Sequence, residues 1–126
     1  MTGKTKILII DDDKFLLDMY SIKFKEYDFD INTAFNGVEV LDKLKDGLAP
    51  DVILMDIVMP GMDGFELLKN IKDNKLAQGS KIIILSNIGQ DEDIEKGKKL
   101  GADGYIVKAS ATPTEVVEKV KKIIGK

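Results

Sequence analysis

The chain has no cysteine and no histidine. These absences exclude a disulfide framework, a Cys/His zinc site, a thiol nucleophile and a Ser-His-Asp triad. Only 3 of 126 residues are proline, and 44% hydrophobic residues accompany 33% charged ones, so neither a disordered polymer nor a fibrous repeat fits. Long hydrophobic runs are missing too. The first apolar run, Ile7 to Ile10, stops at three aspartates and is neither a secretory core nor a membrane span. A reducing cytoplasm is the expected location. Acids outnumber bases 22 to 19, and a net charge of −3 argues against broad nucleic-acid binding through phosphate neutralisation. The length suits one domain over residues 1–126.

Apolar blocks of strand length occur at Ile7 to Ile10, Val52 to Met55 and Ile82 to Leu85, with a shorter block from Tyr105 to Val107. Unbroken apolarity predicts strands covered on both faces. Phe29, Ile31 and Thr33 alternate with Asp30 and Asn32, which predicts a fifth strand at an edge. Helical segments separate the strands. Asn36 with Glu39, Asp63 with Glu66, and Thr112 with Glu115 each set a capping side chain three residues before a carboxylate able to reach back. Pro113 suits a first helical position. Val116, Val117, Val120, Ile123 and Ile124 share one face of the last helix. Strand and helix alternate five times with short connections, which selects an α/β fold with a parallel sheet and helices on both faces.

Ligands of such sheets bind beyond the carboxyl ends of the strands, where strand order reverses. The residues found there are Asp11 and Asp12 after the first strand, Asp56 after the third, Ser86 after the fourth and Lys108 after the fifth. Each alone has an ordinary explanation: an aspartate caps a helix, a serine ends a strand, a lysine is solvated. Together they converge on one rim. Three neighbouring carboxylates repel, so either some stay protonated or a cation neutralises them, and oxygen-only ligands favour Mg²⁺. A carboxylate beside Mg²⁺ and an ammonium is equipped to attack a phosphoryl group and form an aspartyl phosphate.

These residues resemble the response-regulator receiver domains of two-component signalling. The resemblance spans about residues 6–124. It rests on Ile-Leu-Ile-Ile-Asp-Asp-Asp at 7–13, Asp-Ile-Val-Met-Pro-Gly-Met-Asp-Gly at 56–64, Leu-Ser-Asn at 85–87 and Gly-Ala-Asp-Gly-Tyr-Ile-Val-Lys at 101–108. It implies a flavodoxin-like, doubly wound, five-stranded parallel sheet of order 2-1-3-4-5 with five helices in a three-layer sandwich. It also implies that Asp56 is the phosphoacceptor. Asp12, Asp56 and the Val58 carbonyl would be direct Mg²⁺ ligands, with Asp11 acting through water. Lys108 would pair with carboxylate or phosphate, Ser86 would be the switch hydroxyl and Tyr105 the ring that moves with it. The donor would be a sensor histidine kinase or histidine phosphotransfer protein. A downstream protein would bind the face made by the fourth helix, last strand and fifth helix. Catalysis would be limited to the chain's own phosphorylation and slow dephosphorylation, and the molecule would be a monomer or a weak phosphorylation-dependent dimer. No direct contact with nucleic acid or membrane is expected.

Several positions depart from the family pattern. Ala109 follows Lys108 where proline is usual, and a trans bond is expected because cis costs a non-proline residue about 2.5–4 kcal/mol. Ser86 replaces the commoner threonine. Val58 and Ile88 flank the phosphoryl position with side chains unable to hydrogen-bond water, which predicts slow self-dephosphorylation. The fourth helix, near Asp91 to Leu100, has a thin apolar stripe and an interior Gly97 that costs about 1 kcal/mol relative to alanine; either it is mobile or merely frayed. In the first helix Leu16, Tyr20, Phe24 and Tyr27 form one stripe. Phe15, Met19 and Ile22 form a second, from which Met19 is assigned to the core and Phe15 and Ile22 to partner docking. Met59-Pro60-Gly61-Met62 predicts a type II turn. Gly3-Lys4-Thr5 resembles the end of a P-loop but precedes a strand, and is read as a solvated tail.

A rival reading is a Mg²⁺-dependent phosphohydrolase of the haloacid-dehalogenase type. Asp11-x-Asp13 and Leu-Ser-Asn resemble that family's motifs, and Asp11 would be the nucleophile. The late acidic motif and substrate cap of that family are not found. A third reading is a receiver-like scaffold that never takes phosphate. The complete set of acids, hydroxyl and amine disfavours it.

Overall fold

The computed structural model describes residues 4–126. In chain order the elements are β1 (Thr5–Ile10), α1 (Lys14–Glu26), β2 (Phe29–Ala34), α2 (Gly37–Lys45), β3 (Val52–Met55), α3 (Gly64–Asp73), β4 (Lys81–Ser86), α4 (Asp91–Lys99), β5 (Gly104–Val107) and α5 (Pro113–Ile123). A short 3₁₀ turn, Lys108–Ser110, follows β5. The sheet is parallel throughout with order β2-β1-β3-β4-β5. The chain leaves β1 in one direction to form β2 and returns on its other side to form β3, so the reversal of strand order lies at the carboxyl ends of β1 and β3. Among the described residues no helix is long and apolar enough to cross a membrane.

Successive strand residues face opposite sides of the sheet, so a sheet covered twice needs apolar residues at every position. Ile7, Ile9, Val52, Leu54, Ile83 and Leu85 bury against Leu17, Tyr20 and Phe24 of α1 and Val116, Val117 and Val120 of α5. Leu8, Ile10, Ile53, Met55, Ile82 and Ile84 bury on the other face against α2 and α3, chiefly Val40, Leu44, Leu67, Leu68 and Ile71. β2 is an edge strand, as its alternation predicts. Thr5 pairs with Phe29, so the expected amino-terminal tail is shorter than the sequence suggests; Gly3 lies outside the described residues.

Helix starts follow local chemistry. Asn36, Asp63 and Thr112 each accept from the backbone N–H three residues on. Glu115 returns a bond to the Thr112 N–H, whereas Glu39 reaches one residue further back, to Phe35. α4 starts with Asp93 accepting from the Gln90 N–H at 3.2 Å, a signal hidden by glutamine at the cap. The α1 stripe needs correction. Leu17, Tyr20 and Phe24 are buried, Leu16 is half-buried, and Tyr27 is 37% exposed because the helix stops at Glu26. Gly61 at φ 78° fits the third position of the expected type II turn. Among the described residues there is no cis peptide, so Lys108–Ala109 is trans.

Two glycines position neighbouring elements by lacking a side chain. A Cβ on Gly64, the first residue of α3, would stand 2.3 Å from the Asp56 carbonyl oxygen and 2.7 Å from the Ile57 Cα, while the Gly64 N–H donates to the Ile57 carbonyl at 2.8 Å. Gly97 is the buried residue of α4; its Cβ would stand 2.7 Å from Ile84 Cδ1 and 3.5 Å from the Tyr105 ring. The glycine that weakens the helix is thus what lets it approach the sheet. Gly64→Ala meets backbone and is expected to cost about 1–3 kcal/mol as a fall in urea midpoint. Gly97→Ala meets a movable methyl and recovers about 1 kcal/mol of helix propensity. Its midpoint should therefore shift less, and an equal or larger fall would contradict this ranking.

Candidate functional site

The Asp11 N–H donates to the Ala34 carbonyl at 3.2 Å and the Asp56 N–H to the Ile10 carbonyl at 3.1 Å, continuing the strand ladders into the rim. The backbone therefore fixes where both carboxylates start. Lys108, one residue beyond β5, crosses the rim. Its Nζ lies 2.7 Å from Asp11 Oδ2 and 3.0 Å from Asp56 Oδ2. Asp56 Oδ1 accepts from the Ile57 N–H at 2.7 Å and, more weakly, from the Val58 N–H at 3.4 Å. Asp11 Oδ1 accepts from the Asp13 N–H at 2.9 Å. Asp11 and Asp56 are buried and Asp12 is exposed.

Burial raises the pKa of the Asp11 carboxyl above its ordinary value, against the lowering pull of the Lys108 and Asp13 hydrogen bonds. Burial pulls the Lys108 ammonium down, but hydrogen bonds and charge from Asp11 and Asp56 overcome it, and the pKa ends above that of a free lysine. Tyr20, assigned from the sequence to the core alone, is also in this electrostatic field. Burial raises its phenol, and the charges of Lys108, Asp11 and Asp56 act on it. Nothing in the helical spacing distinguishes it from a purely apolar core residue.

Carboxylate oxygens of Asp11, Asp12 and Asp56 lie within 4.8 Å of one another. Three acids with one ammonium leave an excess of negative charge, and the donors are all hard oxygens. Opposite ligands of octahedral Mg²⁺ stand about 4.2 Å apart, so oxygens within 4.8 Å of one another have a spacing and chemistry that suit that ion.

Ser86 is fully buried, and its Oγ accepts from the Ile88 N–H at 3.4 Å. Tyr105 donates its hydroxyl hydrogen to the Ile88 carbonyl. The two side chains thus hold the same residue of the β4–α4 loop. The Val58 side chain is 61% exposed beside the pocket, and Ile88 is half-buried. On α1, Phe15 is 76% and Ile22 64% exposed, whereas Met19 packs against the core. The structure thus brings Asp11, Asp12, Asp56 and Lys108 together, and leaves Phe15 and Ile22 exposed on α1.

Residues 7–121 match the model of the response regulator receiver domain. The chain is 39% identical over 110 residues to the chemotaxis protein CheY of Halobacterium salinarum, covering 86% of this chain and 88% of that protein. It is 35% identical to the transcriptional regulatory protein ResD of Bacillus subtilis, covering 98% of this chain but 49% of ResD, so it spans about half of that relative. The solved structure of the chemotaxis response regulator CheY4 of Vibrio cholerae superposes with a TM-score of 0.86 at 29% identity, covering 97% of this chain and 99% of that one.

The raised Asp11 pKa fixes the sign of a pH effect. A carboxyl whose folded-state pKa exceeds its unfolded value of 3.8 contributes stability below that value and loses it as pH rises through the folded value. In metal-free buffer, the melting temperature of Asp11→Asn relative to the wild type is therefore expected to rise as pH increases above 3.8. Mg²⁺ should narrow the gap by stabilising the wild type more. Parallel thermal melts with chelator and with Mg²⁺ check both signs.

Proposed function

The chain belongs to the response regulator receiver domain family, and from that premise we propose that Asp56 accepts a phosphoryl group from a sensor histidine kinase or histidine phosphotransfer protein. The observation that carries this reading is the Lys108 ammonium held between Asp11 and Asp56 at the edge of a three-carboxylate cluster. Asp56 Oδ2 is the attacking oxygen. It forms the new bond to phosphorus as the bond to the donor nitrogen breaks, while the Ile57 N–H keeps the other oxygen in place. Lys108 shifts from stabilising the free carboxylate to stabilising phosphoryl oxygens. Asp12, Asp56 and the Val58 carbonyl would hold Mg²⁺ directly and Asp11 through water; the ion supplies neutralisation of phosphoryl charge.

After transfer, the Ser86 hydroxyl donates to a phosphoryl oxygen and draws the β4–α4 loop inward. Tyr105, bonded to the same loop at Ile88, follows, and the α4–β5–α5 face changes shape for a downstream protein partner. Phe15 and Ile22 on α1 form the docking contact for the phosphodonor, and a cytoplasmic setting suits such a donor. The molecule works as a monomer or as a weak dimer favoured by phosphorylation.

Incubation with acetyl phosphate and Mg²⁺, followed by intact-mass measurement, should show one added phosphoryl group on the wild type. Asp56→Asn should show none, and Asp11→Asn should label more slowly. Ser86→Ala should still be labelled, because its hydroxyl acts after transfer. Continuous phosphomonoester turnover requiring Asp11 would instead support the phosphohydrolase, and the absence of any adduct would support the scaffold.

Val58 and Ile88 leave hydrolytic water without a side-chain partner. The phosphorylated Val58→Asn, Ile88→Gln double variant should decay faster than the wild type when followed by loss of the adduct mass, and unchanged decay would refute this role.

A further inference from the structure

The third aspartate of the 11–13 run lies outside the metal-facing cluster and joins it to a helix. Asp13 is the N-cap of α1: its Oδ1 accepts from the Leu16 N–H at 3.2 Å, its carbonyl accepts from the Leu17 N–H at 2.9 Å, and its backbone is extended at φ −87° and ψ 106°. The same residue's N–H donates to Asp11 Oδ1 at 2.9 Å. A capping residue must leave the helical conformation while its side chain turns back onto the first turn. Here that turn also sets the direction of the Asp13 N–H. Asp11 is thus held at both oxygens, Oδ1 by Asp13 and Oδ2 by Lys108.

Resting on the reading of Asp11, Asp12 and Asp56 as the Mg²⁺ site, we propose that Asp13 is a positioning residue for it. Its hydrogen-bonding side chain, rather than its charge, locks the start of α1 and thereby the orientation of Asp11. Partners that orient a metal-site carboxylate commonly influence affinity as much as they influence fold. The run Asp11-Asp12-Asp13 accordingly divides its labour: the first two acids face the ion and the third holds the first.

The test compares Asp13→Asn, which keeps a cap of equal rank, with Asp13→Ala, which removes it. Thr112→Ala serves as a control because it removes a cap from α5 whose hydrogen bonds run to Glu115 and not to Asp11, Asp12 or Asp56. Two quantities are read for each protein at constant ionic strength: the urea midpoint without divalent ions, and the Mg²⁺ concentration giving half of the full melting-temperature shift. Labelling by acetyl phosphate against Mg²⁺ is followed in parallel. Asp13→Ala should need about tenfold more Mg²⁺ for the half-shift, and its labelling rate should recover at high Mg²⁺. Asp13→Asn should stay close to the wild type. Thr112→Ala should lose stability with an unchanged Mg²⁺ midpoint.

An unchanged midpoint in Asp13→Ala would overturn the proposal. So would an Asp13→Asn midpoint displaced as far as that of Asp13→Ala, because the charge would then be responsible. If Asp13→Ala does not fold, Asp13→Gly carries the same comparison, since glycine is tolerated at an N-cap without supplying a side-chain acceptor. A wild type with neither a Mg²⁺ shift nor an adduct would instead refute the function on which this inference rests.

Discussion

Lys108 reaches two buried carboxylates from the far end of the chain, and the arrangement of the rim depends on that contact. The sheet brings Asp11 and Asp56 side by side because β1 and β3 are paired, Ile10 opposite Met55. Unpaired, two adjacent buried carboxylates would repel and resist ionisation. The ammonium at 2.7 and 3.0 Å gives each an opposite charge, and the backbone N–H groups of Asp13 and Ile57 occupy the remaining oxygens. Breaking such a pair leaves an uncompensated buried charge, which is far costlier than never having built it. The rim is therefore held in tension by charges of opposite sign.

Much of this was legible in the sequence because parallel sheets write their requirements plainly. Val52 to Met55 are buried at all four positions, and no amphipathic alternation could have satisfied a strand with helices on both sides. The residues after each strand could be placed at one rim before any distance was known. What the sequence withheld depended on contacts between elements. Gly97 reads as a helix defect until Ile84 and Tyr105 are seen against it. Tyr20 reads as a core aromatic until the charges above it are located. Tyr27 extends the α1 stripe on paper, but the helix ends before it. The different hydrogen bonds of Asp11 and Asp13 also became visible only in the structure, since their side chains are chemically identical.

The β4–α4 segment is built on different terms from the rest. α1 and α5 are seated by rows of large buried side chains, whereas α4 approaches through Gly97, with Lys96 lying over the Phe65 ring at 4.6 Å. Its loop is held by Ser86 and Tyr105 at a single residue, Ile88. Few apolar contacts combined with a small number of polar restraints characterise an element whose position is cheap to change. The carboxylates stand at the ends of β1 and β3, inside the sheet, and the loosely held segment lies beyond β4 to one side of them.

The Lys108–Asp11 contact spans 97 positions of sequence. During synthesis the first strand emerges long before the fifth, and its place between β2 and β3 waits for partners made later. Closing so long a loop costs entropy that is recovered only when the final strand docks. A nascent chain halted after α4 would hold its aspartates without their counter-ion and be chemically incomplete. Docking of β5 therefore supplies the counter-ion that completes the rim.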